Sequence, residues 1–469
     1  MTMPSPRDRA MRAIGGGMFA CWALTLAVFR PGFAMFDTLV QYRQLLSGQF
    51  DDWHPPAMAR AWQALAPLGH GQAPLFVVQV TFYWLGIALL AMALARGGRW
   101  RAGVALGLIA LLPPFLGWQM AVLKDAQMAG ALLAATGVIG AYRLGGARPG
   151  ALGWVGAGLL LLYAVLVRAN AVFAVAPLVA MLVPLGWRGR VAVALGGMVA
   201  AIALSPAINH RIFGAADSGV VRTQPIYDLA AIAVRVPGAA TGLAPGAVMQ
   251  MRARGCVKPY FWDSLSDSGP CGGDVAPLVA MPPAKLELLW AGAIVSHPLA
   301  YAVHRLAHLN STMRWLVPYR WPGAAPPLMS ERNDLGLGSP GRVARAWQRL
   351  AGYAVETPLG WPFAWLGLAL AGLVALGRSE GRAAEVARAL FVSALGGEAS
   401  FAVVSIASDL RYHLWMMMAA AIGVAIGWPA LDRRRWRIGV ALVALACIPA
   451  IAARIALPLP PQTYAGMLG

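Results

Sequence analysis

Three carboxylates and a histidine gather in one short stretch of an otherwise apolar chain: Asp37, then Asp51-Asp52-Trp53-His54-Pro55-Pro56. Ionisable groups at a membrane cost free energy, so such a cluster is read first as functional. An aspartate at the membrane boundary can serve as a general base if partial desolvation raises its pKa toward working pH. The plainer alternative is a helix cap, since Asp37 and Thr38 are both capping types. They precede an amphipathic stretch carrying Leu39, Tyr42, Leu45 and Leu46. Pro55 and Pro56 restrict the backbone around them and hold His54 extended. A histidine so placed can donate to a phosphate or a sugar hydroxyl.

Cations appear in three short turns: Leu123-Lys124-Asp125, Val167-Arg168-Ala169-Asn170 and Ser408-Asp409-Leu410-Arg411-Tyr412-His413. Lys124, Arg168 and Arg411 suit a phosphate leaving group, because they stabilise negative charge developing in a transition state. Tyr412 and Trp415 can stack on a sugar or prenyl unit, although aromatics are common at membrane interfaces. A cation snorkelling to a phospholipid explains any one of these turns. Three on one side favour a shared anionic site.

These residues need elements to carry them. The chain has 469 residues, 59% hydrophobic and only 12% charged, with a mean hydropathy of +0.62; a soluble domain is roughly a quarter charged. Apolar runs of about 18 to 22 residues recur, each long enough to cross a hydrocarbon core. The expectation is an all-α, polytopic transmembrane helical bundle of about eleven spans with outer-face loops and interfacial helices. The spans fall near 13–30, 75–95, 102–121, 126–142, 151–167, 170–187, 191–208, 359–377, 389–407, 412–430 and 438–457. With Arg7, Arg9 and Arg12 ahead of the first run and no small-residue cleavage site before Asp37, that run reads as an uncleaved span.

Connector charge then sets the orientation. A cytoplasmic N-terminus places Arg96/Arg99/Arg101, Arg143/Arg148, Arg188/Arg190, Arg378/Arg382/Arg388 and Arg433/Arg434/Arg435/Arg437 in inner loops, as the positive-inside bias requires. The net charge of +19 is thereby explained by topology and lipid head groups, and nucleic acid is excluded as a partner. Three regions follow: a transmembrane module over 1–208 with a first outer loop at 31–73, an outer segment over 209–358, and further transmembrane helices over 359–469.

The outer segment offers less. Thr223-Gln224-Pro225-Ile226-Tyr227-Asp228-Leu229 leads into a short helix, and Ser296-His297-Pro298 suits a helix start with serine as cap. His297, His304 and His308 fall near one helical face, but no Cys, Asp or Glu in register completes a metal site, so a polar stripe on an interfacial helix is preferred. Cys256 and Cys271 share one polar loop and can pair if it faces an oxidising compartment. Cys21 and Cys447 lie in apolar runs as small core residues.

An acid opening the first outer loop, followed by Asp52-Trp53-His54-Pro55-Pro56 leading into the next span, resembles the GT-C class of membrane glycosyltransferases. The pattern is most similar to the protein O-mannosyltransferases and the lipid A aminoarabinose transferases. The Lys124-Asp125, Arg168-Ala169-Asn170 and Asp409-Leu410-Arg411-Tyr412 turns resemble a bacterial branch of such proteins. The resemblance implies a polyprenyl-phosphate sugar donor, a glycan, lipid or protein acceptor reached from the outer side, and a single inverting displacement. It maps the catalytic base onto Asp37, with Asp52, His54, Lys124, Asp125, Arg168, Asn170, Asp409, Arg411 and Tyr412 binding substrate. Thr38 stands where mannosyltransferases commonly carry a second acid, so neither a metal nor another cofactor is expected. The implied location is a bacterial inner membrane, with the N-terminus cytoplasmic and the site periplasmic.

Two other classes compete. A lipid-linked sugar flippase or other transporter should place ionisable groups at mid-span, whereas these lie at the outer boundary. An O-antigen polymerase or ligase would use outer arginines with diphosphate carriers, and the proximity of Asp37 to the His-Pro-Pro element argues against it.

Overall fold

Ser5 opens the first helix: its hydroxyl accepts from the Asp8 amide, and Pro6 sits where no amide donor is needed. In the computed structural model, which describes residues 5–183 and 185–468, this helix is α1 (Pro6–Phe29). The first outer loop folds into α2 (Phe36–Ser47), a two-residue strand β1 (Phe50–Asp51) and α3 (Ala57–Leu65). After it come α4 (Ala73–Arg96), α5 (Trp100–Ala110), α6 (Pro113–Gln119), α7 (Lys124–Gly145), α8 (Ala151–Val167), α9 (Val172–Leu182) and α10 (Trp187–Pro206). The outer segment contributes β2 (Ala215–Ala216), parallel to β1, and α11 (Thr223–Arg235), α12 (Pro245–Arg254), α13 (Gly272–Val279), α14 (Pro283–Ser296), α15 (Pro298–Met313) and α16 (Arg342–Ala354). The chain ends its described course in α17 (Pro362–Leu376), α18 (Arg382–Ser400), α19 (Leu414–Gly427), α20 (Arg433–Ala456) and the short α21 (Tyr464–Leu468).

The protein is a membrane-embedded helical bundle. Among the described residues six helices are long and apolar enough to cross a membrane, or up to eight if each bent pair is one span. The expectation of eleven regular spans is corrected in three ways. The 102–121 run is broken into α5 and α6, bent by 59°, because Pro113 and Pro114 cannot continue the α5 hydrogen-bond ladder. The 170–187 and 359–377 runs give the shorter helices α9 and α17, and Pro184 of the first lies outside the described residues, whereas the 151–167 run forms α8 with the expected bounds. The 389–407 run shifts to Arg382–Ser400 and stops there, leaving residues 401–409 irregular.

Helix contacts sort the two ends of the bundle. At one end Arg99 Nη2 donates to the Ile426 carbonyl (2.6 Å), Arg143 Nη2 to Leu182 (2.5 Å) and Ser379 Oγ to Ala430 (2.9 Å). At the other, Phe33 exchanges backbone hydrogen bonds with Met120 and Val122 (3.0 and 2.9 Å), and the Asp37, Lys124, Arg168 and Arg411 turns converge. The connectors predicted to be basic thus share one end, and the chemistry-bearing turns share the opposite one.

The centre is the α4–α7 pair. A Cβ on Gly86 would lie 2.3 Å from the Leu133 carbonyl oxygen, and one on Gly137 2.7 Å from the Gly86 Cα, so these helices approach as only small residues allow. By contrast α10 buries none of its residues. The outer segment has a separate core around Tyr227, Trp262, Leu265, Val275 and Leu278, closed by a Cys256–Cys271 disulfide.

Candidate active site

The position of Asp37 follows from its neighbour. Thr38 Oγ1 accepts from the Met35 amide (2.9 Å) and donates to the Val122 carbonyl (2.8 Å). Thr38 therefore caps α2 and pins it to the loop before α7, while the Asp37 carboxylate stays out of the cap. Its Oδ2 lies 3.0 Å from Arg411 Nη2, and its Oδ1 is 4.0 Å from His54 Nε2.

His54 is buried, 4% exposed, just ahead of the turn at Pro55-Pro56 that starts α3. Lys124, at the first position of α7, approaches His54 Nδ1 at 2.7 Å. An ammonium can only donate, so Nδ1 is the acceptor and the ring proton sits on Nε2, the nitrogen facing Asp37. Burial, reinforced by the Lys124 charge, pushes the His54 pKa down to about 3. The ring is a neutral N–H donor at physiological pH.

Arg411 is the hub. Its Nε lies 3.0 Å from Asp409 Oδ2 and 3.6 Å from Asp125 Oδ2, while Nη1 is buried with no hydrogen-bond partner among the described residues. Arg168 Nη1 pairs with Asp125 Oδ1 at 2.7 Å, and its guanidinium lies 4.1 Å over the Tyr412 ring. Asn170, Tyr412, Met128 and Met416 line a small cleft beneath that stack. Three carboxylates, Asp37, Asp125 and Asp409, thus face three cations. Arg168 is held by Asp125, whereas Lys124 and the open edge of Arg411 remain for an incoming anion.

Burial raises the Asp37 carboxyl pKa, but the charges of Arg411, then Lys124 and Arg168, outweigh it and hold the group well below the usual carboxylate range. This corrects the expectation that desolvation lifts Asp37 toward neutrality. The group is a carboxylate at every ordinary pH, and its basicity depends on what Arg411 is doing.

Asp52 goes elsewhere. Its Oδ1 accepts from the Ser218 amide (2.7 Å) and hydroxyl (2.5 Å), and Oδ2 lies 3.5 Å from His210 Nε2. The residue ties the first outer loop to the segment at β2 rather than joining the Asp37 cluster.

A buried ladder on α15 positions Arg411. Arg305 Nη2 donates to the Val403 carbonyl (2.7 Å), His308 Nε2 meets Ser405 Oγ (2.8 Å), Ser311 Oγ meets Ser408 Oγ (2.8 Å), and Thr312 Oγ1 meets His413 Nε2 (2.8 Å). From the other side Glu398 Oε2 holds His413 Nδ1 at 2.7 Å. Arg305 is itself anchored by Asp228, which also takes His304 at 3.2 Å. His304 and His308 therefore face inward, onto Asp228 and onto Ser405 of the segment that follows α18, while His297 is only partly buried. The Ser296 cap is also corrected: Ser296 ends α14, and His297 occupies the cap position of α15 without a side-chain hydrogen bond.

One further carboxylate escaped the sequence reading. Asp263 Oδ2 accepts from the Tyr464 hydroxyl (3.0 Å). Its neighbour Phe261 pairs with Ala407 as an isolated antiparallel bridge, and Trp262 packs on Trp53 at 5.8 Å. Burial, with the Asp409 and Asp37 charges nearby, pushes Asp263 up to about 6. Two carboxylates at one mouth thus have pKa values driven apart, a common arrangement in acid–base sites. Nothing local in Trp262-Asp263-Ser264 signals this, because the shift comes from strands distant in sequence.

No protein-family model matches this sequence, and no curated protein matches it either.

Proposed function

We propose that the protein is a membrane glycosyltransferase that moves a sugar from a polyprenyl-phosphate donor to a hydroxyl acceptor. The observation that carries this reading is the Asp37–Arg411 contact beside a neutral His54 whose far nitrogen is occupied by Lys124. One carboxylate able to take a proton sits against cations able to take a phosphate, at the end of the bundle opposite the arginine-rich connectors.

In the reaction the acceptor oxygen attacks the anomeric carbon as the carbon–oxygen bond to phosphate breaks. The hydroxyl proton passes to Asp37, and the bonding pair leaves with the phosphate, which Lys124 and Arg411 hold. As Arg411 turns toward the leaving phosphate, its hold on Asp37 weakens and the carboxylate becomes more basic when the proton arrives. His54 Nε2–H can donate to a phosphate oxygen, and Tyr412 offers its ring edge to the sugar. A single displacement inverts the anomeric centre.

The orientation supported by the connector charges puts the Arg-rich end in the cytoplasm and Asp37 outside. The disulfide in the outer segment agrees with an oxidising exterior, so the bacterial inner membrane, with the site periplasmic, is the proposed location. Incubating the purified protein with labelled polyprenyl-phosphate sugars and an acceptor extract tests the reading. Release of polyprenyl phosphate with inversion at the transferred sugar supports it; an intact donor pool, or product of retained configuration, rejects it.

A further inference from the structure

The end of the bundle opposite Asp37 contains a cleft that the transfer chemistry does not use. Arg143 at the end of α7, Met181 to Val183 at the end of α9, Arg190 in the first turn of α10 and Glu385 in the first turn of α18 line a cleft of about 110 Å³. Arg143 Nη2 donates to the Leu182 carbonyl at 2.5 Å, which fixes its guanidinium at the cleft wall. The Nε atoms of both Arg143 and Arg190 are buried with no hydrogen-bond partner among the described residues. A buried donor left unpaired is costly, and two of them at one cleft call for an acceptor from outside the chain.

The surroundings say where that acceptor comes from. Helix α10 buries none of its residues, so its apolar flank lies open to acyl chains along its length. Next to the cleft Trp187 is 72% exposed and Leu185 45% exposed, the aromatic and aliphatic pairing found where a helix meets the headgroup region. A soluble anion would make no use of that flank. Basic pockets between transmembrane helices on the cytoplasmic side suit lipid head groups.

We propose that this cleft binds one anionic glycerophospholipid, its phosphate bridging Arg143 and Arg190, its headgroup hydroxyls donating to Glu385 and its acyl chains lying along α10. Glu385 sets the headgroup preference. It rewards a headgroup with hydrogen-bond donors, as in phosphatidylglycerol, and gives nothing to choline, which has none. The ordinary role of inner-loop arginines in topology explains neither the cleft nor the paired orphan donors, since topology needs only charge.

The test counts lipids retained on the protein by native mass spectrometry after exchange into phosphatidylglycerol or phosphatidylcholine. Wild type is expected to keep one phosphatidylglycerol under activation that strips phosphatidylcholine. R143Q/R190Q should weaken that retention by about tenfold or more, the loss of at least one charge-assisted hydrogen bond. R433Q/R434Q, at the same end but outside the cleft, should retain it like wild type. Equal losses in the two double variants would overturn the proposal by showing only a general basic surface. Inorganic phosphate should leave the melting temperature unchanged where phosphatidylglycerol raises it; an equal rise with phosphate alone would overturn the lipid as ligand. Because no sugar transfer is read out, failure here leaves the assignment of Asp37 untouched.

Discussion

Asp37 and Arg411 sit 3.0 Å apart, and each sets what the other can do. Arg411 keeps Asp37 ionised, so turnover should not fall on Asp37's account as pH drops through the ordinary carboxylate range. Asp263 behaves oppositely. With its carboxyl pushed up to about 6, it gains negative charge above that pH, beside the site proposed to receive a phosphate. The donor KM is therefore expected to rise above pH 6 in wild type, and KM measured against pH should be flat there in Asp263→Asn. Lys124→Met removes both the ammonium that holds down the His54 pKa and a phosphate contact. Its kcat should drop by about 100-fold or more, and the remaining rate should show a histidine titration closer to neutrality, read from the pH profile. The Asp37, His54, Lys124 and Arg411 set was legible in the sequence because ionisable side chains are so rare in apolar context. Asp52 was legible as an acid but not as a tether, since Ser218 and His210 reach it only through the β1–β2 pairing. Asp263 was not legible at all.

At the scale of elements, α15 is the support for the site. Its Arg305 meets Ala402 and Val403, and its His308, Ser311 and Thr312 each meet one further residue of the 401–413 segment that ends in Arg411 and His413. His308→Ala, which removes the contacts to Ser405 and to the Pro259 carbonyl, is expected to lower kcat while circular dichroism still reports a full helix content. An unchanged kcat would remove the ladder from the account. The helical spacing of these residues was visible, and their inward direction was not, because the partner strand is irregular and carries no periodic signal. The α4–α7 contact behaves similarly. Gly86→Ala must push against a carbonyl 2.3 Å away and should destabilise the bundle by about 1–3 kcal/mol, seen as a lower melting temperature in detergent. A glycine inside an apolar run reads from sequence only as a weak helix former; the close approach appears once the pairing is known.

For the whole molecule, polarity between the ends is the organising feature. The arginine-rich connectors meet at one end and the acid–cation turns at the other, which puts the proposed chemistry and the basic connectors on separate surfaces. Charge counting found this division, whereas hydropathy alone does not show that Pro113-Pro114 bend one run or that 401–409 leave the helix. The outer segment's own core was hidden from hydropathy too, since its apolar pair α13–α14 is bent by 111°. Its Cys256–Cys271 bond closes a loop with a separation of 15 residues, worth about 3 kcal/mol in a chain-entropy picture. Cys256→Ser should accordingly loosen that unit to protease while the membrane helices stay protected.

One comparison separates the role proposed for Asp37, taking the acceptor proton, from that of the cations around it, holding the phosphate. Wild type and Asp37→Asn are given the same labelled polyprenyl-phosphate sugar, and both donor binding and sugar release are measured. The variant is expected to bind donor at least as tightly, having lost a negative charge beside the phosphate, yet to release no sugar. Sugar release at the wild-type rate from well-folded Asp37→Asn would contradict the role proposed for Asp37.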